Sequence, residues 1–331
     1  MKRKVIKQGH NTMTLTLPSK WVKEFNLKPG DEIDIAERDN GIFVSAQNLE
    51  DKRKVEICID ELDNPTIWKY FMAVYREGYD EVLVKFKPDL KLDNPYKFFT
   101  RYILDDSVPS NKKKTPNEFL QSLVNRFIGY EVLDCGNDFA LVSDMSEPSS
   151  KEFDNSLRRV FLLIQQMSNE TFEAISSRNF KTLKHIHDVD VNVDKFHDYC
   201  IRILNKLKSK DSRESSLLFS ALYLLELIGD EFKNISHHFL KDISSKCNFS
   251  NLLEMAKLKK EQIDLFYESF YVFDLQKIMR ISKIDEEEYN VIKEVYAKTN
   301  SEEEKEVLHH YRIISRYINA LIELRIEMDL S

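Results

Sequence analysis

Four carboxylates stand in two pairs, each one helical turn long: Asp190 with Asp194, and Glu226 with Asp230. At i and i+4 on a helix two side chains share a face, and like charges there repel. Each pair lies on the flank of an apolar stripe. Phe180, Leu183, Ile186, Val193, Phe196, Cys200, Ile203 and Leu207 recur at three- and four-residue spacing, as do Leu218, Leu222, Leu225, Ile228, Phe232, Ile235 and Phe239. That is the pattern of bundle helices. Two acidic pairs on neighbouring helices need a cation between them or water around them. Carboxylates facing one another across helices are also how bundles hold iron or manganese. Gly229 falls inside the second helix, where glycine costs about 1 kcal/mol relative to alanine. Its presence predicts a close approach by another helix.

A second chemistry sits at the other end of the chain. Residues 1–23 carry Lys2, Arg3, Lys4, Lys7, Lys20 and Lys23 and no acidic residue, in a chain of net charge −7. Clustered Lys and Arg on an acidic body point to a polyanionic partner, with Arg3, Lys4, Lys7, Lys20 and Lys23 as candidate DNA contacts. Met13, Leu15 and Leu17 alternate with Thr12, Thr14 and Thr16, the period of a half-buried strand. Pro18-Ser19 opens a short helix bearing Trp21, Val22 and Phe25. Pro29-Gly30-Asp31 turns into a strand over Ile33 and Ile35, and Asp39-Asn40-Gly41 predicts a hairpin turn to Ile42 and Val44.

Composition bounds the rest. The 331 residues are 42% hydrophobic and 32% charged, more than one core accommodates, so two or three domains are expected. From Lys151 onward there is one glycine, Gly229, and no proline, which predicts long helices. Cys58, Cys135, Cys200 and Cys247 form no C-x-x-C pair, and no signal peptide precedes them, so a soluble chain in a reducing cytoplasm is expected. The most apolar run, Leu217 to Gly229, is interrupted by Ser220 and Glu226 and is too short for a bilayer.

The middle, from about residue 49 to 147, reads as a small α/β unit. Strands are expected over 55–59 and 81–86, helices over 65–76 and 116–127, and a hairpin of 130–133 with 139–142. The run Asn111-Lys112-Lys113-Lys114 reads as a solvated loop, with a phosphate contact as the alternative. There is no G-x-G-x-x-G or Walker pattern, no H-E-x-x-H and no Ser/His/Asp arrangement, so no catalytic residue is expected. His185, His187, His197 and His237 near the acidic helices read as solvated. Within one helix neither His237-His238 nor His309-His310 can chelate together, because the members point to different faces. Beyond residue 250, helices are expected at about 251–280, 286–298 and 302–330.

Two resemblances follow from these residues. The N-terminal order of strand, turn, strand, helix, K-P-G-D turn and hairpin is similar to the AbrB/MazE/SpoVT swapped-hairpin family, carried by Arg3, Lys4, Val5, Gly9, Thr12, Leu15, Leu17, Pro18, Lys20, Trp21, Leu27, Gly30 and Asp31. That resemblance implies an obligate homodimer of interlaced hairpins presenting basic residues to DNA. About 47 residues bury too little core alone, which also favours dimerisation. The stretch L-E-L-I-G-D-E-F-K-N-I, Leu225 to Ile235, resembles the R-I-G-D-x-x-x-N-I stretch of PhoU domains, and D-V-N-V-D, Asp190 to Asp194, resembles their partner motif. By this resemblance Asp190, Asp194, Glu226 and Asp230 would ligate a multinuclear metal cluster, usually iron or zinc. The segment from Gly129 through Glu147 resembles the linker domain of archaeal PhoU-like regulators.

The PhoU fold is two repeats of a three-helix bundle, but the second half lacks the acidic pattern. Ser315 stands where the Glu belongs and Asn319 where the Asp belongs, and Asp285-Glu286-Glu287-Glu288 reads as a capped helix start. The chain thus resembles an archaeal PhoU-like phosphate uptake regulator with a swapped-hairpin head. Its fold class is multidomain α+β: a hairpin domain at 1–48, an α/β connector at 49–147 and a PhoU-like helical domain at 148–331, with repeats at about 148–245 and 246–331. The expected function is DNA-binding transcriptional regulation of phosphate uptake or of metal and phosphate homeostasis, without a nucleotide cofactor and without enzymatic activity. The alternative is an adaptor that does not bind DNA and docks on a phosphate transporter or signalling protein.

Overall fold

The computed structural model describes residues 3–9, 12–38, 41–45, 52–95, 113–146, 149–207, 212–241 and 247–330. Lys2, the Asp39-Asn40 turn, Lys112 and the expected boundaries at 48/49 and 147/148 lie outside the described residues. The chain divides into two compact units, Met1–Lys52 and Arg53–Ser331.

The first unit is built from two short hairpins and one helix. Strands β1 (Ile6–Gln8) and β2 (Thr12–Thr14) pair antiparallel, with Ile6 opposite Thr14. Gly9 takes φ +73° in the turn between them, a conformation that favours glycine. Helix α1 (Ser19–Glu24) follows Pro18. Strands β3 (Asp34–Arg38) and β4 (Gly41–Ser45) form the second antiparallel pair, with Asp34 opposite Ser45. Among the described residues of this unit none is buried. Val5, Ile6, Met13, Leu15, Ile35 and Ile42 are each more than half exposed.

The second unit begins with a four-stranded sheet: β5 (Lys54–Cys58), β6 (Glu81–Lys85), β7 (Tyr130–Cys135) and β8 (Phe139–Asp144), in the order β5-β6-β8-β7. β5 and β6 run parallel through the crossover helix α2 (Asn64–Arg76), and the remaining pairs are antiparallel. The Asp63 side chain caps α2 by accepting the Thr66 N–H, with Pro65 in its first turn. Helix α3 (Pro116–Val124) starts on a capping box of Thr115 and Glu118. Val82, Val84, Ala140 and Val142 of the sheet are fully buried, as are Ile67 and Phe71 of α2 and Phe119 and Leu123 of α3.

Six long helices complete the unit. The first three are α4 (Ser150–Ser177), α5 (Ile186–Leu207) and α6 (Ser212–Lys241), with a short 3-10 turn over Phe180–His185 before α5. The second three are α7 (Phe249–Tyr271), α8 (Leu275–Lys298) and α9 (Glu302–Asp329). The two triplets meet where α4 packs on α7 and α6 packs on α9. The sequence pattern predicted one helix across 251–280, but the chain breaks at Val272. Asp274 restarts it, accepting the Gln276 and Lys277 N–H groups. In consequence Asp285 to Glu288 lie inside α8 rather than at a helix start, and Glu288 is buried.

Connector and bundle belong to the same compact unit because α5 is bolted to the sheet. Arg202, fully buried, donates to the carbonyls of Tyr75 (2.7 Å) and Tyr79 (2.8 Å) and to Asp144. Its guanidinium lies 4.8 Å and 4.9 Å from the ring centroids of Tyr75 and Tyr130. Arg76 pairs with Asp198 at 2.6 Å, and Lys206 with Asp144 at 3.0 Å.

Candidate functional site

The two amphipathic helices expected from the stripes are α5 and α6, which pack together and bring the four carboxylates to their common flank. Gly229 lies in their contact. A Cβ there would stand 3.3 Å from Val193 Cγ1 and 3.7 Å from Asp190 Oδ1, so the glycine serves the close approach that its helix cost implied.

What neutralises the carboxylates is a pair of the chain's own cations. Lys233, one turn beyond Asp230 on α6, donates to Asp190 Oδ2 at 2.8 Å and also to Asp230. Arg126, buried just after α3, donates from Nη2 to Asp194 Oδ2 at 2.8 Å, with its guanidinium 5.0 Å from the Trp68 ring centroid. Asp190 is buried, and its Oδ1 has no hydrogen-bond partner.

Two cations against four carboxylates leave an acidic excess, which favours the protonated carboxyls. Burial first, then the Asp194 charge, push the Asp190 carboxyl up to about 7, against the pull of Lys233. Burial, Asp230 and Asp194 push Glu226 up to about 8. Burial works against the Lys233 ammonium, but Asp190 and Asp230 outweigh it and raise its affinity for the proton.

These raised values make the site a pH-dependent element of stability. Folded Asp190 and Glu226 hold protons that the unfolded chain releases above 3.8 and 4.5, so stability falls as pH rises from there through about 7 and about 8. Glu226→Gln should flatten that slope and gain roughly 1–3 kcal/mol at the alkaline end. Denaturant unfolding at a series of pH values checks this; an unchanged slope would show that Glu226 does not carry the repulsion.

The donor set does not fit a multinuclear metal cluster in this geometry. Among the described residues, no three of the four carboxylates place oxygens within 4.8 Å of one another, and Lys233 holds Asp190 and Asp230 while Arg126 holds Asp194. The corresponding region of the second triplet is closed in the same way. Lys259, fully buried on α7, pairs with Glu288 of α8 at 2.8 Å, donates to Gln262 Oε1 at 2.7 Å and reaches Ser315 of α9.

Two of the four histidines differ from the solvated reading. His187 and His197 are buried, and His197 Nδ1 lies 3.2 Å from Asp198 Oδ1 with its ring edge-on to Tyr223. His185 is exposed beside Glu170. The tail of the lysine run is committed inside the connector: Lys113 pairs with Asp93 at 2.9 Å and Lys114 donates to Ser122 at 2.6 Å.

In the hairpin unit, Arg3, Lys4, Lys7, Lys20 and Lys23 are all exposed. Lys20 and Lys23 lie on α1, Lys7 on β1, and Arg3 and Lys4 on the segment leading into it. No helix among the described residues is long and apolar enough to cross a membrane.

Comparison with known proteins places both units. The family described as "Antidote-toxin recognition MazE, bacterial antitoxin" matches residues 6–52, and the PhoU domain family matches residues 157–238. No curated protein matches the chain. Among solved structures, the phosphate transport system regulatory protein PhoU from Streptococcus pneumoniae is similar at a TM-score of 0.46 and 18% identity, over 54% of this chain and 94% of that one. The hairpin unit with its exposed lysines is therefore a MazE/AbrB-type domain, and the chain carries it ahead of a C-terminal PhoU domain.

Proposed function

We propose that the protein is a DNA-binding transcriptional regulator of phosphate uptake or of linked metal and phosphate homeostasis. The observation that carries this reading is the hairpin unit, whose five basic side chains are all exposed on a segment free of acids up to Lys23. Clustered cations of this kind supply the salt-dependent attraction to a phosphate backbone, while groove contacts supply register and sequence preference. A second chain is part of the same reading. Six apolar side chains of the unit stand more than half exposed, and interlacing with a partner's hairpins would bury them. The PhoU domain would bias the DNA-competent population in response to a partner or small ligand.

Retention of fragmented genomic DNA by the purified protein at moderate salt, followed by sequencing, tests the proposal. Enrichment of a few promoter regions is the expected result. Uniform or negligible retention would instead favour the adaptor, with the hairpin unit serving dimerisation alone. On an enriched fragment, Arg3→Glu with Lys4→Glu should weaken binding about 100-fold and reduce the salt slope by about 2. Unchanged affinity would remove those two residues from the interface.

A further inference from the structure

Where α6 packs on α9, three side chains converge that the acidic flank does not use. His238 of α6 and His310 of α9 face each other with their Nε2 atoms 3.2 Å apart. Glu306, one turn before His310 on α9, brings a carboxylate oxygen to within 4.8 Å of both nitrogens. On the far side of the His310 ring, Nδ1 lies 2.5 Å from Glu231 Oε2 of α6.

That contact sets the role of one ring nitrogen of His310. An ionised carboxylate only accepts, so Nδ1–H donates to Glu231, and Nε2 is the nitrogen that faces His238. A carboxylate behind an imidazole is the arrangement that orients histidine ligands and strengthens their basicity. The 3.2 Å separation is close to the edge of a zinc tetrahedron, roughly 3.3 Å for Zn–N bonds of 2.0–2.1 Å. Two imidazoles and one carboxylate suit zinc and its neighbours in the first transition row rather than magnesium or calcium.

We propose that His238, His310 and Glu306 form a divalent transition-metal site, zinc in the first instance, with Glu231 as the residue that positions His310. A metal there would tie the last helix of one triplet to the last helix of the other. The site is separate from the Asp190/Asp194/Glu226/Asp230 flank, where Lys233 holds Asp190 and Asp230 and Arg126 holds Asp194.

The test uses the full chain, stripped with a chelator and titrated with zinc alone against a chromophoric competitor. Uptake of one equivalent at micromolar affinity or tighter is expected. His238→Ala with His310→Ala should weaken it at least about 100-fold, and Glu231→Gln about 10-fold, while Asp190→Asn with Glu226→Gln leaves it unchanged. Cobalt loaded into the unmodified protein should give the intense visible bands of a four-coordinate ion, a readout that does not depend on how well the variants fold. Absent or much weaker zinc uptake, uptake indifferent to the histidine pair, or the pale spectrum of six-coordinate cobalt would each overturn the proposal.

Discussion

Lys259→Met is expected to destabilise the second unit by about 3–5 kcal/mol, because it leaves the Glu288 carboxylate buried without a cation. Both partners are inside the protein, Lys259 fully and Glu288 at 2% exposure. Burial lowers the affinity of the Lys259 ammonium for its proton, and the Glu288 charge works in the other direction. The pair is not thereby a net source of stability. Desolvating two charges offsets much of their attraction, so Lys259→Met combined with Glu288→Leu should recover most of the loss. Urea unfolding of the three proteins decides the matter: a double variant as unstable as the single one would show that packing, and not the orphaned charge, is responsible.

The second large effect is expected at Arg202. Its removal takes one of two donors from each of three acceptors, the Tyr75 carbonyl (which keeps the Gly78 N–H), the Tyr79 carbonyl (which keeps the Tyr130 hydroxyl) and Asp144 Oδ2, and takes a cation from between two tyrosine rings. Asp144 keeps Lys206 and Ser146 as partners, which limits the damage on that side. Arg202→Met should cost about 3–5 kcal/mol. Arg202→Lys should rescue only part, since one ammonium cannot reproduce a planar fork serving three acceptors. Hydrogen exchange at the amides of β6 and β8 reports it: protection should fall there before it falls in α9. Uniform loss across the unit would mean that α5 does not act as the bolt between sheet and bundle.

The fold was legible wherever a local rule decides it. The three- and four-residue stripes of α5 and α6 carry their signal within one turn, and the alternation that starts at Thr12 marks β2, although the strand ends at Thr14 and leaves Leu15 and Leu17 outside it. The acidic pairs were legible too, and so was the close approach at Gly229. What neutralises them was legible in part: Lys233 lies three residues beyond Asp230 and shares its face. Arg126 comes from a different layer of the fold, 68 residues before Asp194, and no periodicity reveals it. Lys259 left a trace that pattern reading passes over, a lysine within the apolar stripe of Leu252, Met255, Ala256, Ile263 and Phe266. The break at Val272 escaped because Asp274 caps a helix without any glycine or proline to mark it. His238 and His310 are 72 residues apart, and only the packing of α6 on α9 joins them.

The absence of any buried residue among those described in the hairpin unit has a further meaning for dosage. A domain whose core exists only between two chains assembles by mass action, so its folded fraction depends on protomer concentration. In the dilute limit, paired heads increase with the square of chain concentration. On the proposed reading of a dimeric DNA-binding regulator, expression level then becomes an input in its own right: scarce protein would leave promoters empty whatever the helical half has bound, and a modest rise in synthesis would move occupancy disproportionately.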